Sequence, residues 1–379
     1  MNFAFRAQET KLCEQIAATM RSLDQEHDLE TTDQQTAAVN LRTALSSLAA
    51  CGYLHLGLAP HPTGIEGPIL VLKAMEAVAM VAPSVCLSVE MSTRMFGRIL
   101  NTWGNGEHKE RWLTPVINGQ RLGAVALSEG AMNVDNDPLQ TEARLEGDTA
   151  VISGRKTYVV NAGIADWIAV AGRIEKQPAF FLIDKASPGL KISRRLKTLG
   201  YEAVVINDLV LDKCRIPGQR IIGPFGNQPI LEIVRLWENQ ILLGLSLGLT
   251  QAALQAAQTY ANEHHTGGKP IIAYQEVAFK LAEMLTLLQT AQLLAYRAVW
   301  TADKDPREAQ SLTWCAKVFC TEAAEKVASS ALQILAGAGF TSGNVAERAY
   351  RCAKYGQIAG TSTEIARVKI GDAALGQRL

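Results

Sequence analysis

The chain carries no excess charge of either sign: lysine plus arginine and aspartate plus glutamate each total 37 of 379 residues. Without a basic stripe, nucleic acid is not an expected partner. Without an acidic tail, a solvating role is not expected either. The seven cysteines (13, 51, 86, 214, 315, 320 and 352) include no CxxC pair. An odd, scattered set fits reduced thiols and a cytoplasmic location. His264-His265 stand without further ligands in sequence, so no metal site is expected. The longest apolar stretch, Ile241–Thr250, is far too short to span a bilayer, and no membrane partner is expected. The first nine residues lack a charged region followed by an apolar run, so they do not read as a signal peptide. Internal repeats and low-complexity stretches are also lacking.

What is present is a hydrophobic content of 48%, ample for a large core and for more than one domain. Residues 1–122 read as helical. Ala37–Cys51 has apolar residues at three- and four-residue spacing and stops at Gly52. Pro68–Met80 and Ser84–Trp103 continue the pattern, with a Pro- and Gly-rich loop over Pro60–Gly67. Near Gly123 the pattern changes to short alternating runs: Ala124–Leu127, Gln140–Leu145, Thr149–Ile152, Thr157–Val160, Trp167–Ala171, Ala179–Ile183 and Val204–Leu211. Gly147-Asp148, Ser153-Gly154 and Ala162-Gly163 punctuate them as turns. Such runs predict a small antiparallel sandwich or barrel over residues 123–228. The helical period returns over residues 229–379, with segments near 231–265, 275–303, 307–338 and 344–356. The expected fold class is therefore mostly α with a β middle domain.

Motifs in this order resemble one known family. Gln333-Ile-Leu-Ala-Gly-Ala-Gly-Phe340 is similar to a Gln-Ile-Leu-Gly-Gly-x-Gly-Tyr/Phe segment of the acyl-CoA dehydrogenases. Ile358-Ala-Gly-Thr-Ser-Thr-Glu-Ile-Ala-Arg367 resembles their Ile-Tyr-Glu-Gly-Thr-Ser-Glu-Ile-Gln-Arg. Leu127-Ser-Glu129, Gly154-x-Lys156, Asn161-Ala-Gly163, Ile216-Pro217, Tyr260-Ala-Asn-Glu263, Gly268-Lys-Pro270 and Tyr274-Gln275 match further family segments in order and spacing. Each motif is weak singly, and the set covers nearly the whole chain. The resemblance implies an N-terminal helical domain, a β middle domain and a C-terminal four-helix bundle.

It also implies a chemistry. Family members remove the α-proton of an acyl thioester and pass the β-hydrogen as hydride to N5 of FAD. The base is a partly desolvated carboxylate, and the flavin is the electron sink. Here the family's catalytic glutamate position falls on Gly360, which has no side chain. In relatives of the isovaleryl- and long-chain type the base lies on another helix, and that position falls on Glu238 in Leu236-Trp-Glu-Asn-Gln240. Read without the resemblance, Glu238 is a solvated glutamate near a helix start, favoured by the dipole. Glu90 is a second candidate, on the helix that floors the acyl pocket in relatives. By itself it reads as an ordinary helix glutamate.

The resemblance implies cofactor contacts at Leu127, Ser128, Tyr158, Val160, His264, Gln275, Gln333, Gly337, Ser362 and Glu364. Ser128 keeps a hydroxyl where the family has threonine, and Tyr158 keeps an aromatic where it has tryptophan. Val160 loses a hydroxyl that reaches N5. His264 replaces an arginine that pairs with the FAD pyrophosphate of a neighbouring subunit, and Gly267 replaces a phenylalanine beside it. Exchanging that bidentate clamp for a mostly neutral ring loses about 1.5–3 kcal/mol. Substrate contacts fall on Val134, Met91, Met95, Trp237, Asn239 and Gly360. Asn239 stands at an arginine position, Leu236 at an aspartate and Val134 at a serine on the carrier path. The carrier is therefore expected to be CoA or an acyl carrier protein. Electron-transfer flavoprotein or another acceptor and a homodimer or homotetramer complete the expectation. Two alternatives stay open: a subunit of a hetero-oligomer with an incomplete flavin site, and a non-redox or flavin-free member that binds or acts on an acyl thioester.

Overall fold

A computed structural model describes residues 5–59, 67–130, 139–302 and 304–376. The chain opens with α1 (Ala7–His27), α2 (Gln34–Ala50) and α3 (Pro68–Val81). Asp33 starts α2 by accepting a 2.8 Å bond from the Thr36 amide, and Gly52 follows its end with φ +80°. Proline opens both α3 and α4 (Pro83–Glu90), where its missing N–H costs nothing. The helix expected over 84–103 runs on from α4 into α5 (Arg98–Trp103), but Met91–Gly97 between them is π-helical. Such widened turns recur at functional sites because they re-aim side chains. Short helices α6 (Gly106–His108) and α7 (Thr114–Ile117) lead to the sheet.

The middle of the chain forms β1 (Gly123–Ala126), β2 (Glu142–Glu146), β3 (Thr149–Val160), β4 (Trp167–Ile174), β5 (Gln177–Asp184), β6 (Leu190–Ile192), β7 (Ile206–Pro217) and β8 (Ile221–Ile222). They join in one sheet in the order β6-β7-β3-β2-β4-β5-β8, with β1 also on β4. Most pairings are antiparallel, as expected, but β1 and β2 both run parallel to β4. The turn expected at Ser153-Gly154 does not exist: β3 passes straight through it. Gly154 instead permits close approach, since a Cβ there would lie 2.4 Å from Thr141 Oγ1. The register of β3 on β7 shifts at two bulges, between Ile152 and Gly154 and between Lys156 and Val159.

The C-terminal part comprises α8 (Ile230–Glu263), a tight hairpin of β9 (His265–Thr266) and β10 (Lys269–Pro270), then α9 (Gln275–Thr301), α10 (Pro306–Leu335), α11 (Val345–Ile358) and α12 (Thr363–Ala374). The short α12, not separated in the sequence pattern, begins at a Ser362 cap. By length and composition α8 could cross a membrane, yet 78% of its apolar window is buried inside the protein. It is the central helix, packed on α3, α9, α10 and α11. At Gly248 a Cβ would meet the Ala79 Cβ at 2.5 Å, so α3 and α8 touch backbone to backbone. Glu76 on α3 accepts from Tyr296 Oη (2.8 Å) and Gln292 (3.0 Å) on α9, fastening the N-terminal helices to the bundle.

The turn after β1 is organised by one buried carboxylate. Glu129 accepts from the Gln140 amide (2.6 Å), the Thr141 amide (3.0 Å) and hydroxyl (2.7 Å), and Lys156 Nζ (2.7 Å). Burial pushes the Glu129 carboxyl up, but the Lys156 charge and these donors outweigh it and hold it below the usual range. A depressed carboxylate stabilises the fold above its unfolded pKa and loses that contribution as pH falls through the folded value. Glu129→Gln should therefore cost about 3 kcal/mol at neutral pH, since it leaves Lys156 buried and unpaired. In denaturant melts the gap to the wild type should narrow below about pH 4.5. An equal gap at every pH would count against the charged pair.

Candidate active site

The π-helical turn, the ends of β1 and β3, and helices α8 and α11 converge on a cleft of about 40 Å³. Met91 and Met95 enter from the π-helical turn, Leu127 and Ser128 from the end of β1, and Thr157, Tyr158 and Val160 from β3. Glu238 of α8 and Tyr355 of α11 complete the lining. The second bulge of β3 throws Tyr158 outward: its φ is +56°, its side chain is 72% exposed, and its amide is held by Asp208 Oδ1 at 3.0 Å. A β-branched-rich strand does not place a tyrosine in the left-handed region without compensation, and such positions cluster at ligand clamps. The Thr157 amide bonds the Ser128 carbonyl at 2.9 Å, fixing the hydroxyl-bearing turn against the strand.

Glu238 is the carboxylate in this cleft, with 14% of its side chain exposed. Arg235, one turn earlier on α8 and 8% exposed, donates through Nη1 to Glu238 Oε2. Its Nη2 is buried with no acceptor. Lys317 of α10 lies fully buried behind the pair and donates to the carbonyls of Gly356 (2.5 Å), Ala359 (2.9 Å) and Thr361 (2.9 Å). Burial draws its ammonium down to about 8, against the pull of Glu238. Burial, and then the Glu238 charge, push the Tyr355 phenol up, so it faces the cleft as a neutral hydroxyl.

Gly360 sits beside α8 with φ +64°. A Cβ there would lie 2.4 Å from Asn239 Oδ1 and 3.0 Å from Leu242. The space is occupied by a two-way bond: the Thr361 amide donates to Asn239 Oδ1 (2.9 Å) and Asn239 Nδ2 donates to Thr361 Oγ1 (3.0 Å). Asn239 is thus buried and turned to the 359–361 segment. Beside it lies a small cavity of about 10 Å³, lined by Glu232, Arg235, Leu236, Asn239, Gln310, Trp314, Thr361 and Lys369.

Other residues singled out in the sequence lie elsewhere. Glu90 does not line the cleft. It is fully buried, accepting from Tyr53 Oη (2.7 Å) and Arg94 Nη1 (2.9 Å), and burial pushes its carboxyl up against the pull of Arg94. Trp237 lines a different cavity, of about 580 Å³, shared with Arg94, Arg98 and Ile241, and Arg98 stacks on its ring at 4.5 Å. His264 ends α8, stacked on Tyr260 at 4.7 Å. His264, Gln275, Gln333 and Gly337 are all exposed and none lines the cleft. Ser362 and Glu364 open α12. Val134 lies outside the described residues. Arg235 and Tyr355 were not singled out by sequence reasoning. A lone arginine or tyrosine on a helix has no motif: one turn of α8 brings Arg235 to Glu238, and the packing of α8 on α11 brings Tyr355 to the same cleft.

Three family models tile the chain: acyl-CoA dehydrogenase N-terminal domain at residues 10–120, middle domain at 124–214 and C-terminal domain at 236–375. The rat mitochondrial short-chain specific acyl-CoA dehydrogenase is 32% identical over 304 residues, covering 78% of this chain and 73% of its own. Benzylmalonyl-CoA dehydrogenase of Aromatoleum aromaticum is 31% identical over 338 residues, covering 87% and 88%. Among solved structures, butyryl-CoA dehydrogenase from Megasphaera elsdenii superposes with a TM-score of 0.88 at 22% identity, over 99% of this chain and 100% of that one. The prolyl acyl carrier protein oxidase AnaB gives 0.88 at 23%, over 98% and 100%.

The geometry at Gly360 makes a direct prediction. Gly360→Ala should lose roughly 1–3 kcal/mol, because the side chain collides with the Asn239 lock and the left-handed backbone disfavours it. Equilibrium denaturation measures this. Unchanged stability would mean that the segment is not held against α8 as described.

Proposed function

The chain belongs to the acyl-CoA dehydrogenase family, flavin oxidoreductases acting on CH–CH bonds, and from that premise we propose that it dehydrogenates an acyl thioester between Cα and Cβ with Glu238 as the α-proton base. The observation that carries this reading is the placement of the Glu238 carboxylate in the same cleft as Ser128 and Tyr158. Elsewhere around that cleft the described lining is apolar or neutral. The thioester acidifies its α-carbon, and a carboxylate can remove that proton if it is held close and largely out of water. Glu238, in the cleft and with 14% of its side chain exposed, supports this reading, and Gly360 has no side chain to offer.

The residues present fit a planar ring system: an outward-facing aromatic at Tyr158, a hydroxyl at Ser128 and apolar contacts at Leu127 and Val160 would hold the isoalloxazine of FAD. When bound, FAD supplies the acceptor for the β-hydrogen as hydride. Glu238 takes the proton, Met91 and Met95 close the apolar side, and Tyr355 offers a neutral hydroxyl. The exposed His264, Gln275, Gln333 and Gly337 line none of the cavities described above, and Phe340, three residues after Gly337, is 96% exposed. This supports a reading in which a second copy covers that end and the phosphates of FAD are held between chains. CoA and a carrier protein both fit as the source of the thioester arm. A prolyl acyl carrier protein oxidase shares the fold, and the loss of charged residues along the expected CoA path favours neither source over the other.

The test is anaerobic reduction of the FAD-loaded protein by a panel of CoA thioesters, from butyryl- to glutaryl-CoA. The wild type should bleach the visible flavin band with at least one of them. Glu238→Gln should keep its flavin and reduce it about 10²–10⁴-fold more slowly. Wild-type reduction rates in Glu238→Gln would exclude Glu238 as the base.

A further inference from the structure

We propose that the cavity of about 580 Å³ lined by Trp237 is a ligand site of its own, taking an aliphatic carboxylate with its hydrocarbon on the apolar wall and its charge on Arg98. The proposal does not depend on the role given to Glu238.

The first observation is size and lining. The cavity falls within the range of about 300–1,000 Å³ that small-molecule sites occupy. Leu56, Leu58, Val71, Leu72, Ile241 and Val299 give it an aliphatic wall drawn from the segment before α3, from α3 itself, and from α8 and α9. Such a wall gains by covering itself with hydrocarbon instead of water. A few polar groups set among apolar ones are what orient a ligand. Here they are Arg94, Arg98 and Gln240.

The second observation is charge. Among the described residues the lining holds two guanidiniums and no carboxylate. The two differ in what the chain already does with them. Arg94 is 5% exposed and bonded to its own surroundings: Nη1 donates to Glu90 Oε1 and Thr93 Oγ1, both at 2.9 Å, and Nη2 to the Tyr53 carbonyl at 2.6 Å. Glu90 balances its charge and fixes it in the wall. Arg98 is partly exposed at the same cavity, and its guanidinium rests on the Trp237 ring, 4.5 Å from the centroid. Trp237 is in turn stacked on Trp103 at 5.2 Å. An aromatic stack of this kind sets the plane of a guanidinium through its face. The N–H groups then point edgewise, in the plane where a carboxylate accepts two parallel bonds.

The two observations together select the ligand. A saturated, neutral tail would fill the apolar wall, but it would strip water from Arg98 and offer nothing in exchange. A small inorganic anion would meet Arg98 and leave the wall uncovered. A carboxylate on a short aliphatic body satisfies both. It has two possible sources: a free carboxylic acid, or the far end of an acyl group that carries a second carboxyl.

The experiment is calorimetric titration of the FAD-loaded protein at neutral pH with hexanoate and with hexanamide, which has the same size and no charge. Hexanoate should bind with a Kd of about 1 mM or tighter, and hexanamide at least about tenfold more weakly. Arg98→Gln should weaken hexanoate about tenfold or more and leave hexanamide unchanged, with Arg98→Lys between. Crystals soaked with 6-bromohexanoate locate the ligand without any variant, and so decide the matter should Arg98→Gln not fold. The bromine should lie against the aliphatic wall and the carboxylate on Arg98. No binding of hexanoate, equal binding of the amide, wild-type affinity in Arg98→Gln, or bromine found only in the cleft of Glu238 overturns the proposal. Kinetics with a dicarboxylic CoA thioester then separate the sources. If the ligand is the far end of an acyl group, hexanoate competes with that thioester and Arg98→Gln raises its KM. If it is a free acid, hexanoate binds alongside the thioester and Arg98→Gln leaves its KM unchanged. Either result keeps the site. This last arm alone rests on the reading of the cleft as a dehydrogenation site: a wild type reduced by no thioester removes that reading and leaves the titration and the crystal standing.

Discussion

Two hydrogen bonds between Asn239 and Thr361 hold the 359–361 segment hard against α8, and the layout of the site follows from them. Asn239 gives its amide N–H to the Thr361 hydroxyl and takes the Thr361 backbone N–H in return. Lys317 ties down the carbonyls on either side. With that backbone so close, position 360 has room for glycine alone, at a φ that glycine adopts freely. A carboxylate cannot be presented from there. The residue preceding Asn239 on the same helix is Glu238, so the turn of α8 that closes one position also presents the carboxylate at the other.

Around Glu238 the cleft is assembled by parts of the chain distant in sequence, and each part has a local reason for its shape. The β3 bulge turns Tyr158 outward. The Glu129–Lys156 pair, with the Thr141 and Gln140 donors, sets the turn that carries Ser128. The π-helical turn supplies Met91 and Met95, soft side chains that adapt to what they cover. The close packing of α3 on α8 at Gly248 makes α8 a rigid base for Glu238 and Arg235 alike. Arg235 and Lys317 put two cations near one carboxylate in a largely buried place, where charges interact most strongly.

The sequence disclosed the order of helices, sheet and bundle, because helical period and turn residues persist over long stretches, and the motif order matched one family throughout. It misled where a residue type has two uses. Gly154 reads as a turn but serves close approach to Thr141 inside a continuous strand. Continuous helical period over residues 84–103 hid the π-helical turn, since widening by one residue leaves the apolar spacing almost intact. Glu238 was legible only through resemblance, as a glutamate near a helix start is usually solvated. Glu90 and Trp237 illustrate the limit of position counting: both lie within a residue of cleft-lining positions, yet a shift of about 100° around a helix sends Glu90 to Tyr53 and Arg94 and Trp237 to the larger cavity. Arg235 had no sequence signal, because its meaning depends on being buried beside Glu238 with one prong unused.

The most direct test of this account is a crystal structure of the FAD-loaded protein with an unreactive thioether analogue of its acyl thioester. The account predicts a Glu238 carboxylate oxygen roughly 3–3.5 Å from the carbon that corresponds to Cα, with the analogue lying between it and the ring face over Ser128 and Tyr158. An analogue bound with its Cα counterpart beyond reach of Glu238, or seated beside another acid such as Glu90, would contradict it.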